Sequence, residues 1–298
     1  MRNTNAWEDF ELIDATCGER LERWGGSILI RPDPQVIWKT PKGPEWNRAD
    51  AIYHRSDKGG GKWENRSLKE EHWQIAYGDI QLHVRPTGFK HMGVFPEQAV
   101  NWDFMRELIE NAEQNAGRNA RQIKVLNLFA YTGGATLVCA SAGASVCHVD
   151  ASKGMVAWAR ENAELSNLAD KPIRWIVDDC KKFVQREIRR GNTYDGIVMD
   201  PPSYGRGPDG EIWKLEDEIY QLVEMCAQLL SETPLFFLLN SYTTGLSPSV
   251  SGYILGSLIQ KTRGGQVHSD EIGLPVTKSG MVLPCGSTAI WKRGANNK

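Results

Sequence analysis

The chain has 298 residues and a formal net charge of −2, from 35 Lys+Arg against 37 Asp+Glu, a balance that argues against a basic nucleic-acid scaffold and against an acidic tail protein. With 41% hydrophobic and 24% charged residues it reads as an ordinary globular chain, long enough for one large domain and a smaller one or for two medium domains. No stretch approaches the ~20 apolar residues that cross a bilayer, the N-terminus lacks the apolar core of a signal peptide, and the cysteines are dispersed without a C-x-x-C pair. The expectation is a cytoplasmic protein with no membrane contact, no disulfide framework and no metal site.

Residues 1–95 are expected to form a small β-rich domain. Strand-length runs at 27–30, 36–38, 73–77 and 80–84 are separated by turn chemistry, including Gly59-Gly60-Gly61. Between residues 31 and 69, nine Lys/Arg and five acids are interleaved with Trp38, Trp46, Tyr53 and Trp63. Basic residues beside aromatics are what a single-stranded RNA surface needs, and equally what a solvated loop shows when its tryptophans cap a small core.

Residues 96–298 read as the second domain. Trp102, Met105, Ile109 and Ala112 form one stripe of a helix that ends near Gly117 and bridges the two domains. From Ile123, strands at 123–128, 145–149, 174–177, 196–199 and 235–239 alternate with helices. The first helix covers 134–142, and the next is N-capped by Ser152. A third carries Phe183, Val184 and Ile188 and stops at Arg189-Arg190-Gly191, where cations and glycine suit a helix C-terminus. A fourth runs through Tyr220, Val223 and Leu230, and a fifth opens at Ser247-Pro248. This alternation implies an α/β fold, a seven-stranded, mostly parallel Rossmann-like sheet with helices on both faces, and the tail from 266 to 291 supplies an antiparallel pair at one edge.

Ligands of such sheets bind outside the carboxyl ends of the strands, so the residues that follow each strand carry the chemistry. The first strand runs into Phe129-Ala130-Tyr131-Thr132-Gly133-Gly134, whose glycines permit close backbone approach and whose following helix offers N–H groups to a carboxylate or phosphate. The second ends in Asp150, seventeen residues past Gly133, where an acid accepts from the hydroxyls of a ribose. The third ends in Asp178-Asp179-Cys180, beside the place of a purine amine. The fourth ends in Asp200-Pro201-Pro202-Ser203-Tyr204, where two prolines remove backbone donors and leave carbonyls to accept. Singly, a Gly-Gly after a strand is a tight turn and an Asp at a strand end is a helix cap; four such features in order are harder to obtain by accident. The loop lacks G-x-G-x-x-G, which disfavours a dinucleotide.

Three stretches, Val125-Leu126-Asn127-Leu128-Phe129-Ala130-Tyr131-Thr132-Gly133-Gly134, Val149-Asp150-Ala151-Ser152 and Met199-Asp200-Pro201-Pro202-Ser203-Tyr204, resemble the class I S-adenosylmethionine-dependent methyltransferases. Within that class they are similar to the branch that modifies large-subunit ribosomal RNA, over about residues 80–240. Thr87-Gly88-Phe89 is similar to that branch's short hairpin, and Gly93-Val94-Phe95-Pro96-Glu97-Gln98 to the segment that closes over the cofactor. The resemblance implies that Thr132-Gly133-Gly134 hold the methionine end of S-adenosylmethionine and that Asp150 takes the ribose diol. It likewise implies that Asp179 and the Cys180 backbone hold the adenine, and that Asp200 and Pro201 sit at the transferred methyl. Gln98, Phe129, Tyr131, Ala151 and Ser152 complete the cofactor set, and Pro202 and Tyr204 the catalytic one. The protein's task is then positioning, and orientation alone supplies on the order of 7–11 kcal/mol of such barriers.

Members that methylate carbon-5 of cytosine attack with a thiolate in the Asp-Pro-Pro motif or after strand five. Ser203 and Asn240-Ser241-Tyr242-Thr243 stand there instead, so direct transfer to a nitrogen of an RNA base is expected, with Tyr204 stacking on the ring. The alternatives are a methyltransferase for a protein or small metabolite, and a non-catalytic nucleotide-binding domain in which Asp200-Pro201-Pro202 is only a rigid turn.

Overall fold

The computed structural model describes residues 1–56, 60–116, 121–206 and 212–294. They form two compact units, Met1–Val100 with Ile272–Cys285 and Asn101–Glu271 with Gly286–Lys298. The chain thus returns to the N-terminal unit late, a path that composition does not reveal. Asp57, Lys58 and Gly59 of the basic segment, and Gly117 at the expected helix end, lie outside the described residues.

In the N-terminal unit β1 (Phe10–Thr16), β2 (Glu19–Trp24), β3 (Ser27–Pro32), β4 (Ala51–Arg55) and β5 (Gly61–Asn65) form one sheet in that order, and β6 (Trp73–Tyr77) pairs with β7 (Ile80–Val84) as a hairpin. The runs at 27–30, 73–77 and 80–84 are strands as expected. The run at 36–38 is not a strand. Pro34 and Pro41 bracket it, its carbonyls accept from the turn at Cys17 and Gly18 while the Val36 and Ile37 N–H groups bond locally to Asp33 O and Gln35 O, and Ile37 is 83% exposed. The basic segment is partly internal. Arg31 is buried with Nε and Nη2 on Glu22 at 2.6 and 2.8 Å, Lys42 pairs with Glu19, and Arg66 with Glu64. Trp46 caps a small core with Leu21, Ile30 and Ala49, its indole donating to Asp14 at 2.8 Å.

The large sheet contains β8 (Lys124–Leu128), β9 (Ser145–Asp150), β10 (Ile173–Val177), β11 (Gly196–Met199), β14 (Phe236–Ser241), β15 (Gln266–Pro275) and β16 (Val282–Lys292), in the order β10-β9-β8-β11-β14-β16-β15. The first five are mutually parallel and β16 is antiparallel to β14. This is the seven-stranded, mostly parallel sheet that the alternation implies. It is covered by α1 (Ala99–Ala116), α2 (Gly134–Ser141), α3 (Lys153–Leu165), α4 (Cys180–Arg190), α5 (Leu215–Gln228) and α6 (Pro248–Leu255). The sheet's central strands are apolar because both faces are covered, and one core cluster joins Leu126, Ile197 and Phe237 to Phe183, Leu222 and Leu255 from the helices. Ser152 Oγ accepts from Met155 N as the cap of α3, and α4 ends in Arg189-Arg190 with Gly191 at φ 67°. A hairpin of β12 (Tyr204–Arg206) and β13 (Ile212–Lys214), which nothing in the sequence announced, follows the Asp-Pro-Pro motif.

Candidate functional site

Strand order reverses between β8 and β11, the switch point at which open α/β sheets bind ligands. Register aligns Leu128 with Val149 on one side and Met199 on the other, so the loop after β8, Asp150 and Asp200 leave the sheet at one level. Phe129, Tyr131 and Gly133 all have positive φ, at 55°, 51° and 90°. Backbone held in this region by non-glycine residues costs of order 1–3 kcal/mol per residue and persists only where its surroundings enforce it.

Here the surroundings do so group by group. Phe129 N–H donates to Cys180 Sγ (3.3 Å), Ala130 N–H to Val149 O (3.1 Å), and Tyr131 N–H to Asp150 Oδ2 (2.8 Å). Asn162, buried on α3, donates to Thr132 O at 2.9 Å, and Gly133 N–H to Ala130 O at 3.1 Å. Beneath them Thr136 Oγ1 accepts from Asn127 and faces His148 Nδ1, each at 2.9 Å. On the other side of the ring, His148 Nε2 is buried without a hydrogen-bond partner. Burial pushes the His148 pKa down to about 3, so the ring under the loop is neutral.

Both glycines are required, for a reason the sequence reading did not contain. A Cβ on Gly133 would meet Ala159 Cβ at 3.0 Å, and one on Gly134 would meet the Trp102 ring at 2.5 Å. Their bare faces admit neighbouring helices, while the N–H groups that open α2, which no side chain caps, are left to a ligand. Gly133→Ala is expected to lower the melting temperature by several degrees, because it places a side chain at φ +90° against Ala159, and to weaken cofactor binding more than stability. Calorimetry beside a thermal melt checks this; normal affinity in a destabilised variant would make the loop a structural turn only.

Asp150 is half-buried at the end of β9. Each carboxylate oxygen takes one backbone N–H at 2.8 Å, Tyr131 on Oδ2 and Ser152 on Oδ1, which leaves each a further lone pair for a diol. Burial pushes its carboxyl up, opposed by those two N–H bonds. Ala151 and Ser152 are exposed beside it. Asp179 is exposed and caps α4 through Lys182 N–H at 2.8 Å, so it is a helix cap as well as an acceptor, with Cys180 as the first residue of that helix. Asp200 is half-buried, Pro201 buried, and the Tyr204 ring 51% exposed. Trp213 Nε1 donates to Pro202 O at 2.6 Å, so one acceptor site of that carbonyl is already engaged. The same indole lies 5.7 Å from the Phe129 ring, so β13 braces the loop after β8 and the Asp-Pro-Pro turn together. Thr243 Oγ1 donates to Ser203 Oγ at 2.8 Å, holding the turn from the β14 side. Gln98 belongs to the other unit, buried on the short turn Pro96–Gln98.

Asn162, His148 and Trp213 escaped the sequence reading. Only Asn162 left a signal, a polar residue within the apolar stripe of Trp158, Ala159 and Ala163. Among the described residues no cluster of three metal-ligating side chains occurs, and no helix is long and apolar enough to cross a membrane.

A doubly wound sheet with a clamped glycine loop at its switch point and acids ending the flanking strands defines a nucleoside-cofactor domain of the class I type. The chain belongs to the S-adenosylmethionine-dependent methyltransferase family, whose model it matches over residues 64–231. It is similar to the crystal structure of a SAM-dependent methyltransferase from Agrobacterium tumefaciens, with 39% identity, a TM-score of 0.90 and coverage of 98% of this chain and 93% of that one. It is 32% identical over 157 residues to ribosomal RNA large subunit methyltransferase K/L of Shewanella oneidensis, over 52% of this chain and 20% of that protein. To ribosomal RNA large subunit methyltransferase K of Neisseria meningitidis it is 29% identical over 133 residues, 44% of this chain and 38% of that one. The chain thus spans about a fifth of the length of the K/L relatives it matches. It is an enzyme of this family and its cofactor is S-adenosylmethionine. The residues present fit that group: uncapped N–H groups at α2, spare acceptor capacity on Asp150, and acceptors flanking both.

Proposed function

We propose that this methyltransferase modifies a nitrogen on a base of RNA, with large-subunit ribosomal RNA in the cytoplasm as the substrate class. The observation that carries the reading is the Asp200-Pro201-Pro202-Ser203-Tyr204 turn, with its carboxylate at the switch point, its half-exposed aromatic ring and its bracing by Trp213 and Thr243. When bound, S-adenosylmethionine supplies an electrophilic sulfonium methyl. The Thr132-Gly133-Gly134 backbone and Asp150 would hold the cofactor's two ends, with Asp179 and the Cys180 N–H at its base. Tyr204 would stack on an unpaired base, worth about 1–3 kcal/mol. Asp200 and the Pro201 carbonyl would accept from an amine and aim its lone pair. The names of the Shewanella and Neisseria relatives support RNA as the substrate.

No thiol is poised for a covalent route among the described residues of the site. Cys180 is buried with Sγ bound by Phe129 N–H, and burial pushes its thiol well up. Cys285 lies in the N-terminal unit, buried against Arg20 Nη2 at 3.6 Å, and burial pushes its thiol up as well. Cys285→Ser should keep turnover within about threefold of wild type. A large loss with an unchanged melting curve would bring the thiol into the chemistry.

The test of the function is incubation with methyl-labelled cofactor and ribosomal RNA from a strain lacking this protein, followed by mass mapping. Label on a base nitrogen is expected. Label confined to protein or to small molecules would overturn the RNA reading.

A further inference from the structure

After β7, the segment from Arg85 to Met92 is closed at its base by Arg85 N–H on Met92 O at 3.1 Å. Each of its five central carbonyls is held by a side chain. Trp63 Nε1 donates to Thr87 O (2.9 Å) and Tyr53 Oη to Gly88 O (3.3 Å). The Thr87 hydroxyl is shared between Phe89 O (2.9 Å) and His91 O (2.8 Å), and Arg31 Nη1 donates to Lys90 O (2.8 Å). Arg31 is itself fixed on Glu22. Surface loops ordinarily give such carbonyls to water, so this one is preorganised at the expense of four side chains. What it displays is Phe89, 64% exposed, beside the backbone at Gly60, where a Cβ would come within 3.9 Å of the ring.

Two cations, Lys90 on the loop itself and Arg55 within electrostatic reach of it, lie near this loop. Arg55 is exposed and shares a strand face with Tyr53, two residues away, which holds the loop. Lys90 is half-buried, and its pKa is lowered first by burial and then by Arg20, Arg31 and Arg55; Asp33 opposes them but is paired with Arg20. Asp33, which acts on Lys90, is thus already matched to Arg20, and Glu22 to Arg31. A ligand that is both flat and anionic would relieve the repulsion at Lys90 and cover the exposed ring, and a rigid aromatic loses little entropy when it is covered.

We propose that Phe89 is a stacking platform for an unpaired base of the RNA substrate, with Arg55 and Lys90 on the flanking phosphates. The inference rests on RNA being the substrate, and it moves the RNA surface of the N-terminal unit from the whole 31–69 segment to this loop.

The experiment uses the full chain and mixed-sequence single-stranded RNA carrying 4-thiouridine, with cofactor titration and a thermal melt alongside. Phe89→Ala is expected to weaken RNA binding about 5- to 100-fold, with cofactor affinity and melting temperature unchanged, and Phe89→Trp to restore it. Arg55→Ala should reduce the slope of log affinity against log salt by about 0.7, the value of one phosphate contact on a single strand. Photocrosslinks should map to the peptide spanning residues 85–92. Wild-type binding to RNA that Phe89→Ala leaves intact overturns the platform and spares the RNA reading. Equal loss of cofactor and RNA affinity in Phe89→Ala would also overturn it, making the loop part of the cofactor site. Wild-type protein that neither binds nor methylates RNA but methylates a polypeptide would remove the RNA reading and the platform with it.

Discussion

Replacing Asp150 by Ala is expected to weaken S-adenosylmethionine binding about 30- to 1000-fold, the equivalent of about 2–4 kcal/mol. Part of that loss is direct, since a carboxylate that accepts from a ribose diol forms charge-assisted hydrogen bonds. Part is indirect, because Oδ2 also fixes Tyr131 N–H and thereby a residue held at φ 51°. The variant should still fold. Asp150 is half-buried rather than part of the core, Ser152 remains to cap α3, and the sheet register does not depend on the carboxylate. Asp150→Asn separates the two contributions, since its amide keeps one acceptor oxygen but replaces the other with a donor. It should lose most of the affinity with a smaller change in melting temperature than Asp150→Ala. Calorimetric titration with S-adenosylmethionine and S-adenosylhomocysteine measures the effect, and unchanged affinity in a folded Asp150→Ala protein would remove the assignment.

What the sequence disclosed follows from how local the governing physics is. β8, β9 and β11 were legible because strands covered on both faces must be apolar throughout, and the cap at Ser152 because capping acts within three residues. β1 and β2 were not legible, because Asp14, Arg20 and Glu22 break the apolar pattern. Their charges are compensated only in three dimensions, by Trp46 and Lys278, by Asp33, and by Arg31 with the Trp24 indole. The run at 36–38 misled for the opposite reason, being β-branched and aromatic in composition but without a strand to pair with. In the site, the acids and glycines announced themselves by position after strands. The groups that hold them came from afar: Asn162 reaches thirty residues back to Thr132, and Trp213 reaches Pro202 across a hairpin. Even where Gly134 was read as part of the loop, its physical reason, the Trp102 ring, lay on a helix more than thirty residues earlier.

Asp200→Ala should lower turnover about 100- to 1000-fold while leaving cofactor affinity within about threefold, a separation that locates the carboxylate at the reacting nitrogen rather than at the cofactor. The geometry gives the reason. Asp200 leaves β11 directly beside the loop after β8, its N–H on Leu128 O at 3.4 Å, and the turn that follows is fixed by Trp213 on Pro202 and Thr243 on Ser203. A carboxylate in so constrained a turn does not reorganise when an amine approaches, so its acceptor acts most strongly as the nitrogen aligns with the methyl. Asp200→Asn retains one acceptor oxygen and should recover part of the rate, whereas a purely structural role would give Asn and Ala the same turnover at the same melting temperature. Tyr204→Phe keeps the ring and should keep most of the activity; Tyr204→Ala should raise the KM for RNA, because the base loses its stacking partner. Wild-type turnover in Asp200→Ala would take the carboxylate out of the chemistry. An adduct trapped on 5-fluorocytosine RNA and abolished by Cys285→Ser would replace direct transfer to nitrogen with a covalent route to carbon.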